Sequence, residues 1–211
     1  MWIFPGNNNV LEGGYASLNS LFMISPWVFL FLAPAVTMRM FADEKKSGTI
    51  ELLFTRPISD FQIILAKYFA GLILVLFSIL PTLIYFYSVY QLGNPVGNID
   101  TGGTWGSFIG LFFLAGIYVA IGVLASSITE NQIISFIIGM LLCFVMYIGF
   151  DYISELIIFK NIDGFIINLG INEHYKSMSR GVLDSRDMIY FVSSISFFLI
   201  ITKLVLQSRK W

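Results

Sequence analysis

Asp151 and Glu155 stand four residues apart, a spacing that lays two carboxylates on one face of a helix. Such a pair can serve as general acid and base, given a reacting group within reach and environments that push their proton affinities apart. No histidine and no metal-ligand spacing accompanies them, and they fall at the end of an apolar run, so a solvated or lipid-headgroup role is expected. His174, beside Glu173, is the only histidine, and with a single cysteine the chain cannot close a His/Cys set around a metal. It is expected at a surface or interface. Cys143, among Leu141, Leu142, Phe144 and Val145, reads as a small buried hydrophobe. The chain has no G-x-x-x-x-G-K-[ST] loop and so does not bind ATP by that route. No catalytic residue, metal or cofactor is expected.

The residues that remain to be explained run from Met38 to Ser59, the one long charged piece between apolar runs. It opens with Asp43, Glu44, Lys45 and Lys46. Gly48 is expected to cap a short helix beginning at Thr49, with Glu51 in its first turn, where a carboxylate suits the helix dipole. Ile50, Leu53 and Phe54 give this helix an apolar side, and Pro57 forces Arg56 towards an extended conformation and ends it. A short amphipathic helix tied at both ends to membrane segments has two readings. It rests on membrane lipids, or it docks on a partner.

The elements that must hold these residues are membrane helices. Of the 211 residues 57% are hydrophobic and 12% charged, with a mean hydropathy of +0.81; a soluble domain carries about twice that charge, roughly a quarter. A net charge of −1 excludes a generally basic nucleic-acid binder, and one cysteine excludes an internal disulfide. A crossing helix needs about 20 largely apolar residues. Five runs qualify: Ser17 to Val36, Phe61 to Tyr90, Trp105 to Ile128, Ile133 to Phe150 and Met188 to Leu206. They are unbroken rather than alternating, which argues for helices over a barrel. The predicted fold is an all-α polytopic bundle in a single membrane domain, 1–211.

Local signals mark where these helices start and bend. Pro81, inside the longest run, predicts a kink. Ser59 with Gln62, and Thr129 with Gln132, have the capping-box spacing, and the second pair predicts a tight hairpin between the third and fourth helices. Gly106/Gly110 and Gly116/Ala120 are small-xxx-small pairs that allow close helix contact, inside the subunit or across a dimer. The apolar residues of the connector from Asp151 to Asp187 predict short helices that dip into the membrane and return.

Orientation follows from the loop cations. Arg39, Lys45, Lys46, Arg56 and Lys67 cluster after the first run, and Lys203, Arg209 and Lys210 end the chain, whereas Gln91 to Thr104 has none. The positive-inside rule places the first loop and the C-terminus in the cytoplasm and Lys176 outside. Met1 to Ser20 lacks the basic n-region and h-region of a signal peptide. Met1-Trp2-Ile3-Phe4 reads either as the outer end of a helix that begins further upstream or as a short interfacial anchor.

The stretch Asp43 to Ser59, with Gly48-Thr49-Ile50-Glu51-Leu52-Leu53 at its centre and Pro57-Ile58-Ser59 at its end, resembles the first cytoplasmic loop of ABC-2 type transporter permeases. Leu32 to Phe41 and Glu173 to Asp187 agree, the latter through Ser179-Arg180-Gly181-Val182-Leu183-Asp184 and Arg186-Asp187. Within the superfamily the chain is similar to the permease subunit of the gliding-motility-associated ABC transporter of Bacteroidetes. The resemblance implies six membrane helices, of which Ser17 to Val36 would be the second, so that one helix is expected upstream of Met1. It implies a coupling helix at Thr49 to Phe54 that docks on a separate ATPase subunit, with Asp43, Glu44, Gly48, Thr49 and Glu51 as the coupling residues and a second permease subunit beside the first. The expected function is the permease of an inner-membrane ABC transporter, serving export or a gliding or secretion apparatus. The rival reading is a membrane scaffold that recruits a complex without moving anything. An intramembrane enzyme would need a polar constellation that the apolar runs lack.

Overall fold

Backbone in hydrocarbon has no water to bond with and must satisfy itself, which favours one helix per apolar run. The computed structural model describes residues 17–55, 57–155, 163–181 and 184–208. Trp2, Phe4, Arg56, Leu156, Ile157, Ile158, Phe159, Val182, Leu183, Arg209 and Lys210 lie outside the described residues, as do the side chains of Leu53, Phe54 and Phe165. Regular structure among the described residues is all helical: α1 (Asn19–Thr37), α2 (Ala42–Lys46), α3 (Ile50–Phe54), α4 (Asp60–Ile79), α5 (Thr82–Leu92), α6 (Thr101–Ile128), α7 (Gln132–Phe144), a π-helical turn (Val145–Gly149), α8 (Phe150–Ser154), α9 (Asp163–Ile167), α10 (Ile171–Ser179) and α11 (Ser185–Gln207). Five stretches are long and apolar enough to span a membrane: Asn19–Lys46, Asp60–Leu92, Thr101–Ile128, Gln132–Ser154 and Ser185–Gln207. The fold is the expected all-α polytopic bundle.

The helix ends follow local chemistry in most places. The Ser59 hydroxyl accepts from the Gln62 N–H and the Gln62 side chain accepts from the Ser59 N–H, which completes the expected capping box. The long second run breaks where Pro81 removes a donor, α4 ending at Ile79 and α5 starting at Thr82. The second capping box is corrected. Asn131 caps α7 by accepting from the Ile133 N–H, and the Thr129 hydroxyl instead accepts from the Asn131 N–H. Two cap-forming side chains compete in a three-residue turn, and the one adjacent to the helix wins. The tight hairpin itself is present.

Helix α6 is the axis of the bundle. Its membrane window is 83% buried, against at most 44% in the other four spans. α1, α4, α7, α10 and α11 pack around it, and their outward Phe, Ile and Leu side chains form the apolar face a lipid-embedded bundle needs. Small residues on α6 set the approach distances. A Cβ on Gly106 would stand 2.6 Å from the Met178 carbonyl oxygen and 2.8 Å from the Gly181 Cα, and one on Gly110 would meet Tyr175 and Met178. The Gly106/Gly110 pair therefore packs inside the subunit, against α10, while Gly116 admits Tyr68 and Ile195. Gly106→Ala is expected to lower stability by about 1–3 kcal/mol, because backbone atoms on both sides cannot yield as a rotamer can. Thermal unfolding in detergent checks this, with Gly164→Ala, which meets nothing within 4 Å, as the neutral control.

Alternate crossings put one set of connections at each end of the bundle. The segment 38–59, the 129–131 turn and the end of α11 share the basic end. The 93–100 connector, α9 and α10 share the opposite end. α9 and α10 are the short helices expected of the long connector, with Ile166, Ile171, Tyr175 and Met178 buried.

Candidate coupling site at the basic end

Chain leaving α1 turns through 38–41 into α2, a helix too short to hold itself together. Its first N–H groups have no acceptor within the helix, the general problem of helix starts. A hydroxyl from another helix solves it. Ser126, fully buried near the end of α6, accepts from the N–H groups of Phe41 and Ala42 at 2.9 and 3.1 Å. The same oxygen donates to the Met38 carbonyl at 3.1 Å. The Phe41 side chain, 1% exposed, is driven into the core beneath this contact.

The four charged residues of α2 fasten it further. Glu44 pairs with Lys67 of α4 at 2.5 Å, and the same ammonium donates to the Met40 carbonyl and lies 4.8 Å from the centre of the Phe41 ring. Asp43 accepts from the side-chain amide of Gln132, the first residue of α7. Lys45 donates to the Ser127 carbonyl at the end of α6. The second Glu44 oxygen is buried and has no partner among the described residues. Asp43 and Glu44 thus turn inward, onto the start of α7 and onto Lys67 two turns inside α4, and the segment is bolted to three membrane helices at once. Breaking a half-buried ion pair by removing one partner costs more than the pair contributes, because a desolvated charge is left behind.

Gly48, Thr49 and Glu51 lie on the other side. The sequence expectation for Gly48 is corrected in one respect: it ends α2 rather than capping the helix that follows. Its φ of +73° is the left-handed turn that closes a helix, and its N–H donates to the Lys45 carbonyl. No atom lies within 4 Å of a Cβ placed there, so the requirement for glycine comes from the backbone and not from space. Helix α3 starts at Ile50, one residue later than expected. Ile50 leans on the core, whereas Thr49, Glu51 and Leu52 are exposed, Leu52 at 66%. The five residues singled out by sequence therefore divide into an inner pair and an outer trio, with Gly48 as the joint. Sequence reasoning did not connect Ser126, Ser127 or Gln132 with this segment, because their contacts to α2 span more than eighty residues of chain.

Chemistry elsewhere is structural. His174, expected at a surface or interface, is half-buried between α10 and α11, its side chain 14% exposed. It stacks on Tyr190 at 3.9 Å, with Nδ1 2.7 Å from Asp187 and Nε2 2.9 Å from the Asn168 carbonyl. Each ring nitrogen faces an oxygen acceptor. Asp151 accepts from the Asn172 amide. Burial pushes the Tyr175 phenol well above its usual range, with Tyr147 adding to the effect, and keeps it a neutral donor to the Phe22 carbonyl at 2.8 Å. Cys143 is fully buried, as expected. No group of three His, Cys, Asp or Glu side chains suited to a metal occurs among the described residues.

The family described as ABC-2 family transporter protein matches residues 12–208, and the chain belongs to it. Its members are membrane components of ABC transporters, not themselves catalytic, and the family implies an ABC ATPase partner and a permease dimer. No curated protein matches the chain.

Proposed function

We propose, taking that membership as the premise, that this permease subunit receives the ATPase on the exposed surface of Gly48, Thr49 and Glu51 and passes the push into the membrane through Asp43, Glu44 and Ser126. The observation that carries this reading is the Ser126 hydroxyl, which ties the start of α2 to the axial helix of the bundle. Force on α3 then reaches α4, α6 and α7 together, because α2 is bonded to all three. A helix merely resting on lipid has no need of such a fixture. The whole chain acts as one membrane domain beside a second permease subunit, in the inner membrane of the cell. The similarity of the chain as a whole to the gliding-motility-associated permease subunit supports service to a gliding or secretion apparatus, or export.

The basic end faces the cytoplasm in this reading. In a Cys143→Ser background, Lys176→Cys is expected to react with an impermeant thiol reagent added to intact cells, and Lys46→Cys only after the membrane is opened. Both side chains are exposed, so access depends on the side of the membrane and not on packing. Labelling at position 46 in intact cells would reverse the orientation. Copurification with an ABC ATPase from the same cells tests the function, and a permease that binds no ATPase and alters no hydrolysis returns the scaffold reading.

A further inference from the structure

At the end opposite the basic loop a cavity of about 670 Å³ opens between α1, the π turn with α8, and α10, within the roughly 300–1,000 Å³ typical of ligand sites. Its inner wall is aromatic: Tyr147 meets the Trp27 ring edge-on at 6.1 Å, with Phe22 beside them. Exposed Met23 and Tyr152 continue that wall onto the lipid-facing surface. The rim is charged and two-sided. Lys176 of α10 and Arg180, the residue that caps that helix, supply two cations, and Asp151 and Glu155 supply two carboxylates. Among the described residues neither Lys176 nor Arg180 lies within ion-pair distance of a carboxylate, and neither Asp151 nor Glu155 within ion-pair distance of a cation. The wall is also where the helix is irregular. Val145–Gly149 winds as a π turn, a distortion often found at functional sites, and Tyr147 and Ile148 from it line the cavity.

Apolar walls continuous with a lipid-facing surface fit acyl chains, and two unpaired cations fit a phosphate. Two carboxylates on the same rim repel a headgroup that is only anionic and suit one that also carries an ammonium. We propose that this cavity binds a zwitterionic glycerophospholipid of the phosphoethanolamine class from the leaflet opposite the basic loop. Lys176 and Arg180 hold its phosphate, Asp151 and Glu155 its ammonium, and Trp27 and Tyr147 the first carbons of its chains. The site stands on binding alone and does not depend on the coupling described above.

Native mass spectrometry of the full chain in detergent, with palmitoyl-oleoyl phosphatidylethanolamine or phosphatidylglycerol added, tests it. Wild type is expected to retain the ethanolamine lipid with a preference of about tenfold or more over the glycerol lipid. Lys176→Gln with Arg180→Gln should lose retention by a similar factor. Asp151→Asn with Glu155→Gln should keep binding yet lose the preference, a result that damage to the fold alone would not give. Lys46→Gln, at the basic end, should change nothing. Equal retention of both lipids by wild type overturns the proposal. So does unchanged retention by the Lys176/Arg180 variant with the melting temperature of wild type.

Discussion

Ser126→Ala leaves the ATPase bound and fails to stimulate it. The substitution removes one oxygen and no surface, so Gly48, Thr49 and Glu51 remain as the partner finds them. What changes lies underneath. The N–H groups of Phe41 and Ala42 lose their acceptor and the Met38 carbonyl loses its donor, at about 1–3 kcal/mol for each buried group left without a partner. Loss of even about 1.4 kcal/mol of the connection between α2 and α6 is a tenfold change in the population of the coupled state. Affinity for the ATPase should stay within about twofold of wild type, while stimulated hydrolysis falls about tenfold. Ser126→Thr, which keeps the hydroxyl, should restore part of the activity. Titrating the ATPase against reconstituted permease measures both quantities in one experiment, and a loss of affinity matching the loss of stimulation would place Ser126 at the docking surface instead.

Gly48→Val produces the opposite split. A β-branched residue at φ +73° is strained by about 1–3 kcal/mol, and with open space around the position the chain relieves that strain by changing the turn between α2 and α3. Thr49 and Glu51 are then presented at the wrong angle. Association with the ATPase is expected to weaken by about tenfold to a hundredfold, in proportion to that strain, with insertion unaffected because no apolar span is touched. Glu51→Lys, which reverses a charge in the first turn of α3, should act in the same direction through the interface. Gly48→Asn, which tolerates the left-handed turn better, should retain more binding than Gly48→Val.

The contrast between these residues shows what a single sequence holds. Ser59 and Gln62 are three apart and form their box locally, so spacing sufficed; so did Pro81, whose missing N–H breaks the second span wherever the rest of the chain goes. A short helix at α3 and a tight turn at Gly48 were also readable, though not that Gly48 closes α2 instead of opening α3. Asp43 meets Gln132 across 89 residues of chain, and Ser126 meets Ala42 across 84. No local rule selects one serine of an apolar helix as the cap of another helix, so the inner half of the coupling site was invisible while its outer half stood in a motif. The Thr129/Gln132 box failed because the sequence offered two caps and only geometry could choose Asn131. The surroundings of His174 were not legible for a related reason: its stack on Tyr190 and its contact with Asp187 depend on how α10 lies against α11. The cavity beside Trp27 is built from helices distant in sequence, and no one segment announces it.

The central claim is that the exposed surface of α3 meets an ATPase, and a photo-crosslinking residue at Leu52 tests it most directly. Leu52 is 66% exposed beside Glu51. On illumination of the membrane complex, a probe at position 52 should capture the ATPase subunit, and a probe at Val96, 63% exposed at the opposite end, should not. Capture of lipid alone at position 52, with the ATPase present and hydrolysing, would contradict the account.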